Sequence, residues 1–565
     1  MNKRPHGIVD DVEMRSSKQV RSPYKEVKKP GEKDEDNAFI VEQKRLFYDR
    51  MEALNNTYEQ YWNDPNLKLH KELIHAEYRR HSERFANNYQ PKSGKVMLCG
   101  SQDCSQLGTA CHIGDSLKKF KGLKNIIKSE IVHVEAGALT SFFTTRDGKL
   151  FSFGTSDLGA LGRKTDLNID ETVELRAVQV MGFNPSQRAR VRVMASNEDS
   201  SIMQVAAGVS HCLVLSNRGA VYQFGCFADS ENSLWREMPP PDFPDTDNVN
   251  TELYKGAAPR GFREGPRHLY MMPQSVRKVY AGGAMSAVLL KDNTILTWGV
   301  DERGELGQDN SPSKREVFKT IKRASGNVRD EDISEEERKN YKSTIDRCLK
   351  QIKEEFLTPR KVVYDPPLDN HDVVDVAFGA SHMLVVVRRK NSVESLVYGA
   401  GLNQYGQLGL GHQDDAQKLT LIPDSKDKFI IKVAAGLHHS VFLNLFGDMI
   451  WTCGRSDYGQ LGITDGIPKA GKFENRMQQL AFDNDDDPVD LNFHSISAGD
   501  HQSYAVSRSG KLYSWGFNDC GSLGHGNEDD EPRPTPIKKF HKDVTGVVLE
   551  AFAGSQHAIV LASTK

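Results

Sequence analysis

Seven times along the chain an aromatic or small apolar residue precedes a glycine that opens a glycine-rich run, at Gly100, Gly154, Gly225, Gly299, Gly401, Gly454 and Gly516. Two of the best-formed copies read Gly401-Leu-Asn-Gln-Tyr405-Gly406-Gln-Leu-Gly409 and Gly454-Arg455-Ser-Asp457-Tyr458-Gly459-Gln-Leu-Gly462. Self-similarity at a period of roughly 50 residues is the mark of a propeller, solenoid or array. Such architectures carry function on a rim of loops rather than in a buried cleft.

A second element is offset from the first. A short apolar strand ends in a small residue and glycine, at Gly137, Gly208, Gly282, Gly379, Gly436, Gly499 and Gly554, and His211, His382, His439 and His557 follow such a glycine by three residues. An apolar strand comes next, then a hairpin signal such as Asp147-Gly148, Arg218-Gly219, Phe446-Gly447 or Ser509-Gly510, then the strand entering the glycine run. Short strands punctuated by glycine turns read as all-β. Glycine on the inner strand lets backbones crowd at an axis where no side chain fits. The first run, Val96 to Gly108, lacks a preceding Ala-Gly strand, and the last such strand, Ala551 to Leu561, has no run after it. Each end lacks what the other has. The expected fold is therefore an all-β, seven-bladed β-propeller whose N- and C-terminal strands complete one blade, removing exposed edges.

Around this ring, residues 1–36 read as a disordered, mildly basic tail. Residues 37–90 read as a helical extension, with Phe47, Met51, Leu54, Tyr58 and Tyr61 on one stripe. The propeller is expected over 91–565. A helix-containing insertion at about 309–370 is marked by the capping box Ser334-Glu-Glu-Glu337 and the stripe Tyr341, Ile345, Cys348, Ile352 and Phe356. Acidic loops stand at Asp483–Asp487 and Glu528–Glu531.

Composition narrows the function classes. With 38% apolar and 27% charged residues the chain reads as a soluble globular protein, and a net charge of −3 offers no whole-chain attraction to nucleic acid or membrane. No apolar run approaches the length needed to span a bilayer, and the start lacks the apolar core of a secretory signal. Eight scattered cysteines suggest reduced, intracellular thiols. The glycine runs contain no Gly-x-x-x-x-Gly-Lys-[Ser/Thr] phosphate loop, so they serve as turns. Cys99, Cys104, Cys111 and His112 fit no usual zinc spacing. Neither a hydrolase elbow nor a metalloprotease helix occurs. No cofactor, no metal and no catalytic residue for covalent chemistry is expected.

The Ala-Gly-x-x-His strands combined with the [aromatic]-Gly-x-x-Asp-x-Gly-x-Leu-Gly runs resemble the regulator of chromosome condensation family of seven-bladed propellers. The likeness spans about residues 95 to 563. It is closest from Val134-Glu-Ala-Gly137 through Ser152-Phe-Gly-Thr-Ser-Asp-Leu-Gly-Ala-Leu-Gly-Arg163 and at Gly436-Leu-His438-His439. The family's namesake is the exchange factor of the small nuclear GTPase Ran, so the resemblance implies a guanine nucleotide exchange factor acting from chromatin in the nucleus. One face would grip the GTPase while a wedge from the third blade displaces its nucleotide-binding elements. By the resemblance, Asp103 matches an acidic position of that face, His438 and His439 match its histidine pair, and His557 matches a further contact. Phe227, Asp229 and Glu231 fall in the wedge. The tail and propeller face would also meet histones or nucleosomal DNA, with no membrane involved.

Several positions depart from the family pattern. Val209 and Ala284 stand where its exchange factors carry acids, and Ala228 replaces the wedge's basic residue. The alternative reading is a non-catalytic propeller scaffold that binds chromatin or another protein. Asp103, Asp157, Asp457 and Asp519 also share one turn position, where an aspartate's own side chain favours the bend. His211 and His382, at the repeated histidine position, are expected to bond the neighbouring blade.

Overall fold

The computed structural model describes most of residues 93–563. Besides scattered shorter gaps, the stretches 124–129, 164–172, 181–201, 229–233, 236–265, 270–275, 309–355, 464–470, 483–490 and 541–546 lie outside the described residues. The expected tail, the helical extension, nearly all of the insertion's helical stripe and the first acidic loop fall there. So do Asp157, Asp229 and Glu231. The last residue of that stripe, Phe356, is described and is buried in the largest apolar cluster.

The chain folds as an all-β propeller. Its unit is a four-strand antiparallel meander, illustrated by Ile430–Ala435, His439–Asn444, Ile450–Arg455 and Phe473–Gln479. The inner strand ends at the Ala-Gly element and pairs with the next strand at Ala435↔Ser440. The two middle strands are buried along almost their full length, whereas the fourth is largely half-exposed. A strand covered on both faces by neighbouring sheets has no polar side to present, so it reads as a continuous apolar run. Val385-Val386-Val387 and Ile559-Val560-Leu561 are such runs. Between the middle strands the chain reverses through the glycine hairpins, where Gly148, Gly447 and Gly510 have φ of 74°, 79° and 90°.

Both chain ends enter one sheet. Gly94–Ser101 pairs antiparallel with His557–Ser563 from Gly94↔Ser563 to Gly100↔His557. Val548–Ala553 flanks this pair on one side and Ser116–Gly122 on the other. The first strand of the described chain is thereby held by its last.

At the axis the inner-strand glycines touch one another in a closed cycle. A Cβ placed on Gly137, Gly208, Gly282, Gly379, Gly436, Gly499 or Gly554 would lie under 3.0 Å from the carbonyl oxygen of the next glycine in that order, the last meeting Gly137. Any larger residue would push two sheets apart.

The meander also fixes which loops share a face. Successive strands alternate direction, so the turn after each inner glycine and the glycine run after the third strand emerge at the same end of every sheet. They are hydrogen-bonded there. The residue after each run-opening glycine donates its N–H to the carbonyl two residues beyond the inner glycine, as in Leu402 to Ser381, Arg455 to His438 and Phe517 to His501, at 2.8 to 3.0 Å.

The six described cysteines are free thiols. Among the described residues no helix is long and apolar enough to cross a membrane.

Substituting Gly436→Ala should lower unfolding stability by about 1–3 kcal/mol, because the added methyl meets the Gly499 carbonyl and the His439 ring, which its bond to Ser503 holds in the wall. A urea midpoint equal to that of the unaltered chain would show that the axis has slack.

Candidate functional site

Two neighbouring positions after each inner glycine have different fates. The third residue turns into the wall between blades. His211, His382, His439 and His557 are all at most 2% exposed there. The Nε2 atoms of His382, His439 and His557 lie 3.0, 2.8 and 3.0 Å from the hydroxyls of Ser440, Ser503 and Ser141 on the next blade. Those hydroxyls donate onward to the carbonyls of Gln407, Gln460 and Gln106 in the glycine runs. Each imidazole therefore donates through Nε2–H and the serine accepts. His211 donates directly to the Met285 carbonyl at 3.1 Å. Three copies lack the histidine, with Thr140, Met285 and Gln502 in its place, and of these Gln502 spans to the carbonyls of Gly554 and Ser555.

The second residue after the glycine faces the loops. In the last two complete copies it is His438 and His501, both half-buried. His438 packs on Tyr405 with ring centres 4.9 Å apart, and His501 on Tyr458 at 4.7 Å. Both tyrosines come from the glycine run of the preceding blade. Between them lies the Arg455 guanidinium, 5.0 Å from each tyrosine ring centre. It is locked in the plane by two hydrogen bonds to Asp457, at 2.6 and 2.7 Å. Phe517 closes the far end, 5.1 Å from Tyr458 and 6.2 Å from His501. The result is a rigid shelf of rings across three blades, with the cation neutralised from within.

A second corner of this face is acidic. Asp103 is exposed and accepts a hydrogen bond from the Ser101 hydroxyl at 2.9 Å. Near it the Cys520 thiol is pushed up to about 11, first by burial and then by Asp519, with Asp103 and Glu528 adding to the negative field. Glu528 itself pairs with Lys118 at 3.3 Å.

The residues expected from the resemblance thus separate. Asp103 and His438 lie open on the loop face. His439 and His557 are sealed in the wall, their polar edges committed to Ser503 and Ser141, so neither can touch a partner directly in this arrangement. Phe227 is 1% exposed and packs 4.5 Å from the His211 ring, anchoring a short hairpin in which it pairs with Trp235. Asp229 and Glu231, which fall between its two strands in sequence, lie outside the described residues. Val209 is 51% exposed and donates its N–H to the Gly283 carbonyl, which puts an apolar side chain where an acid is expected. Tyr405, Arg455, Tyr458, His501 and Phe517 were not singled out by sequence reasoning. Laying the copies over one another could have found them, since only the pairs Tyr405/His438 and Tyr458/His501 put tyrosine in the run opposite histidine in the next turn.

Burial fixes the charge state of the wall histidines. Loss of solvation holds His211 and His557 down to about 4, and His382 and His439 to about 3. They stay neutral in the folded chain at physiological pH. In the unfolded chain they take up protons below an ordinary value near 6.5. Folding is then opposed as pH falls, across the window from about 6.5 down to the depressed folded values near 4 and 3. Each such histidine contributes a slope of roughly 1 kcal/mol per pH unit in that window. The urea midpoint should drop steeply between neutral pH and pH 5, and His382→Gln should flatten the fall by about one proton. An unchanged slope in that variant would mean the wall site takes a proton while folded.

Among the described residues no group of three His, Cys, Asp or Glu side chains is placed to hold a metal ion. The face offers hydrogen-bonding, aromatic and acidic contacts to a macromolecule.

Comparison with known proteins places this geometry. The RCC1-like domain family model matches residues 95–560. The human regulator of chromosome condensation is 24% identical over 491 residues, covering 85% of this chain and 93% of the human protein. The guanine nucleotide exchange factor SRM1 of Saccharomyces cerevisiae is 23% identical over 485 residues, covering 80% and 85%. Among solved structures, yeast Prp20p, whose report also concerns its binding to Gsp1p and histones, superposes with a TM-score of 0.61. It is 20% identical, with 84% of this chain and 93% of Prp20p covered. Human WBSCR16 superposes with a TM-score of 0.58 at 17% identity, covering 84% and 100%. At these identities the structural likenesses speak for the fold.

Proposed function

This chain belongs to the RCC1-like domain family, and from that premise we propose that it is a guanine nucleotide exchange factor for a Ran-type small GTPase, working on chromatin in the nucleus. The observation that carries the reading is the extent of the match. The human regulator of chromosome condensation and the yeast exchange factor align over 93% and 85% of their own length, across the loop face described above. We take the ring to have seven blades, which the closed cycle of seven inner glycines and the pairing of the two terminal strands support. Residues 91–565 form this propeller, 1–36 a basic tail and 37–90 a helical extension. The tail and part of the face meet histones or nucleosomal DNA.

In this reading Asp103 and His438 contact the GTPase. His439 and His557 act one step behind, setting the turns from which such contacts project. Phe227 roots the short hairpin, and Asp229 and Glu231, which follow it in sequence, are further contacts in this reading. Exchange then follows from linkage: a face that favours the nucleotide-free GTPase makes bound nucleotide leave faster, and bound nucleotide loosens the factor by the same ratio. The acidic corner around Asp103 and Glu528 draws a basic partner surface and speeds encounter. No covalent bond changes.

A second reading, a propeller that binds its partner without promoting exchange, is favoured by one observation. Val209 is a half-exposed apolar side chain at a position the family uses for an acid. The two readings part on nucleotide dependence, since a scaffold holds its partner equally with or without nucleotide.

The test is release of labelled GDP from purified Ran. Micromolar protein should accelerate it, and no acceleration would reject the exchange reading. Asp103→Ala and His438→Ala should each slow release by roughly tenfold, about 1.4 kcal/mol of lost interaction, with an unchanged unfolding midpoint. Unaltered kinetics would remove those residues from the contact.

A further inference from the structure

His501 was not among the expected contacts, yet it repeats the setting of His438 one blade on. Each imidazole is backed by a tyrosine of the preceding run, at 4.9 and 4.7 Å, and Arg455 joins the two tyrosines into one support. In both rings Nδ1 is buried and has no hydrogen-bond partner among the described residues. A buried N–H without an acceptor is rarer than an unpaired lone pair. The proton therefore sits on Nε2, as it does in His211, whose Nε2 meets a carbonyl. Among the described residues no hydrogen bond engages the Nε2 of His438 or His501, and both residues are half-buried on the loop face.

We propose that His438 and His501 form a paired hydrogen-bond donor on the loop face, two Nε2–H groups held at fixed spacing by Tyr405, Arg455 and Tyr458, which reads the main-chain carbonyls of an exposed loop of the GTPase. The proposal rests on the exchange reading and adds to it a residue, His501, and the chemistry of the contact. Carbonyl oxygens suit the site better than carboxylates, because the shelf's cation, Arg455, is already spent on Asp457 and the neighbouring corner carries Asp103 and Glu528. Protonation would turn the pair into two adjacent cations beside Arg455. The surroundings oppose this: loss of solvation, and then Arg455, hold His438 down to about 4. Loss of solvation also lowers His501, with Arg455 acting in the same sense and Asp500 and Asp457 against it. Two donors locked by stacking lose little freedom on docking, which is how a small rigid patch comes to dominate an interface.

The amide analogues separate this from a packing role. Glutamine can place an N–H near the Nε2 position, whereas asparagine reaches only the Nδ1 position. In the GDP-release assay with the full chain and Ran, His501→Ala should slow release by roughly tenfold, His501→Gln should recover most of it, and His501→Asn should not. Nitrogen NMR of the unaltered chain at neutral pH should find both rings neutral and protonated at Nε2. Full activity in His501→Ala, equal activity of the glutamine and asparagine variants, or a proton on Nδ1 would each overturn the donor pair. If the unaltered chain itself fails to accelerate release, the exchange reading falls and takes the pair with it. Normal wild-type exchange with an indifferent His501 sinks the pair alone.

Discussion

Backbone meeting backbone at the axis is the constraint on which the rest of the structure depends. Each inner-strand glycine lies against the carbonyl of the next, around a cycle that returns to its start. Contacts this close are short-ranged and steep, so one oversized residue disturbs two sheets, and the error has nowhere to be absorbed in a closed ring. The latch of Gly94–Ser101 onto His557–Ser563 joins the first and last described strands in one sheet, so that the ring has no open end.

From that axis outward, one short turn performs two jobs. Its third residue after the glycine fills the wall between blades, where a neutral histidine donates its Nε2–H to a serine hydroxyl of the next blade. That serine in turn bonds a carbonyl of the glycine run behind it. This chain of donors fixes the run and with it the loop face. Its second residue holds the run through its main-chain carbonyl alone, so its side chain carries variation: Leu139, Ser210, Ala284, Ser381, His438, His501 and Gln556 occupy it around the ring. A recognition surface can change there without loosening the wall, which is why the face holds His438 and His501 on an aromatic shelf in two copies and Ser210 or Ala284 in others.

Much of the fold was legible because repeats carry their own controls. The offset of Gly100 to Gly108 against Ala551 to Leu561 announced the pairing of the ends, since a missing strand at one end and a surplus strand at the other have only one economical solution. The site was less legible. His439 and His557 share a motif position with open-face neighbours only one residue away, and a string of letters does not say which of two adjacent histidines points into the wall. Arg455 and His501 belong to different copies and acquire a joint role only when two sheets bring Tyr405 and Tyr458 to either side of the guanidinium.

The sequence by itself determined the repeat, its strand order and the glycines that let sheets crowd an axis, because these are local matters of turn geometry and apolar run length. Tertiary structure alone decided which histidines are sealed and which are offered to a partner. That depends on serines, tyrosines and carbonyls from the adjoining sheet, tens of residues away in the chain, whose approach the closed ring imposes.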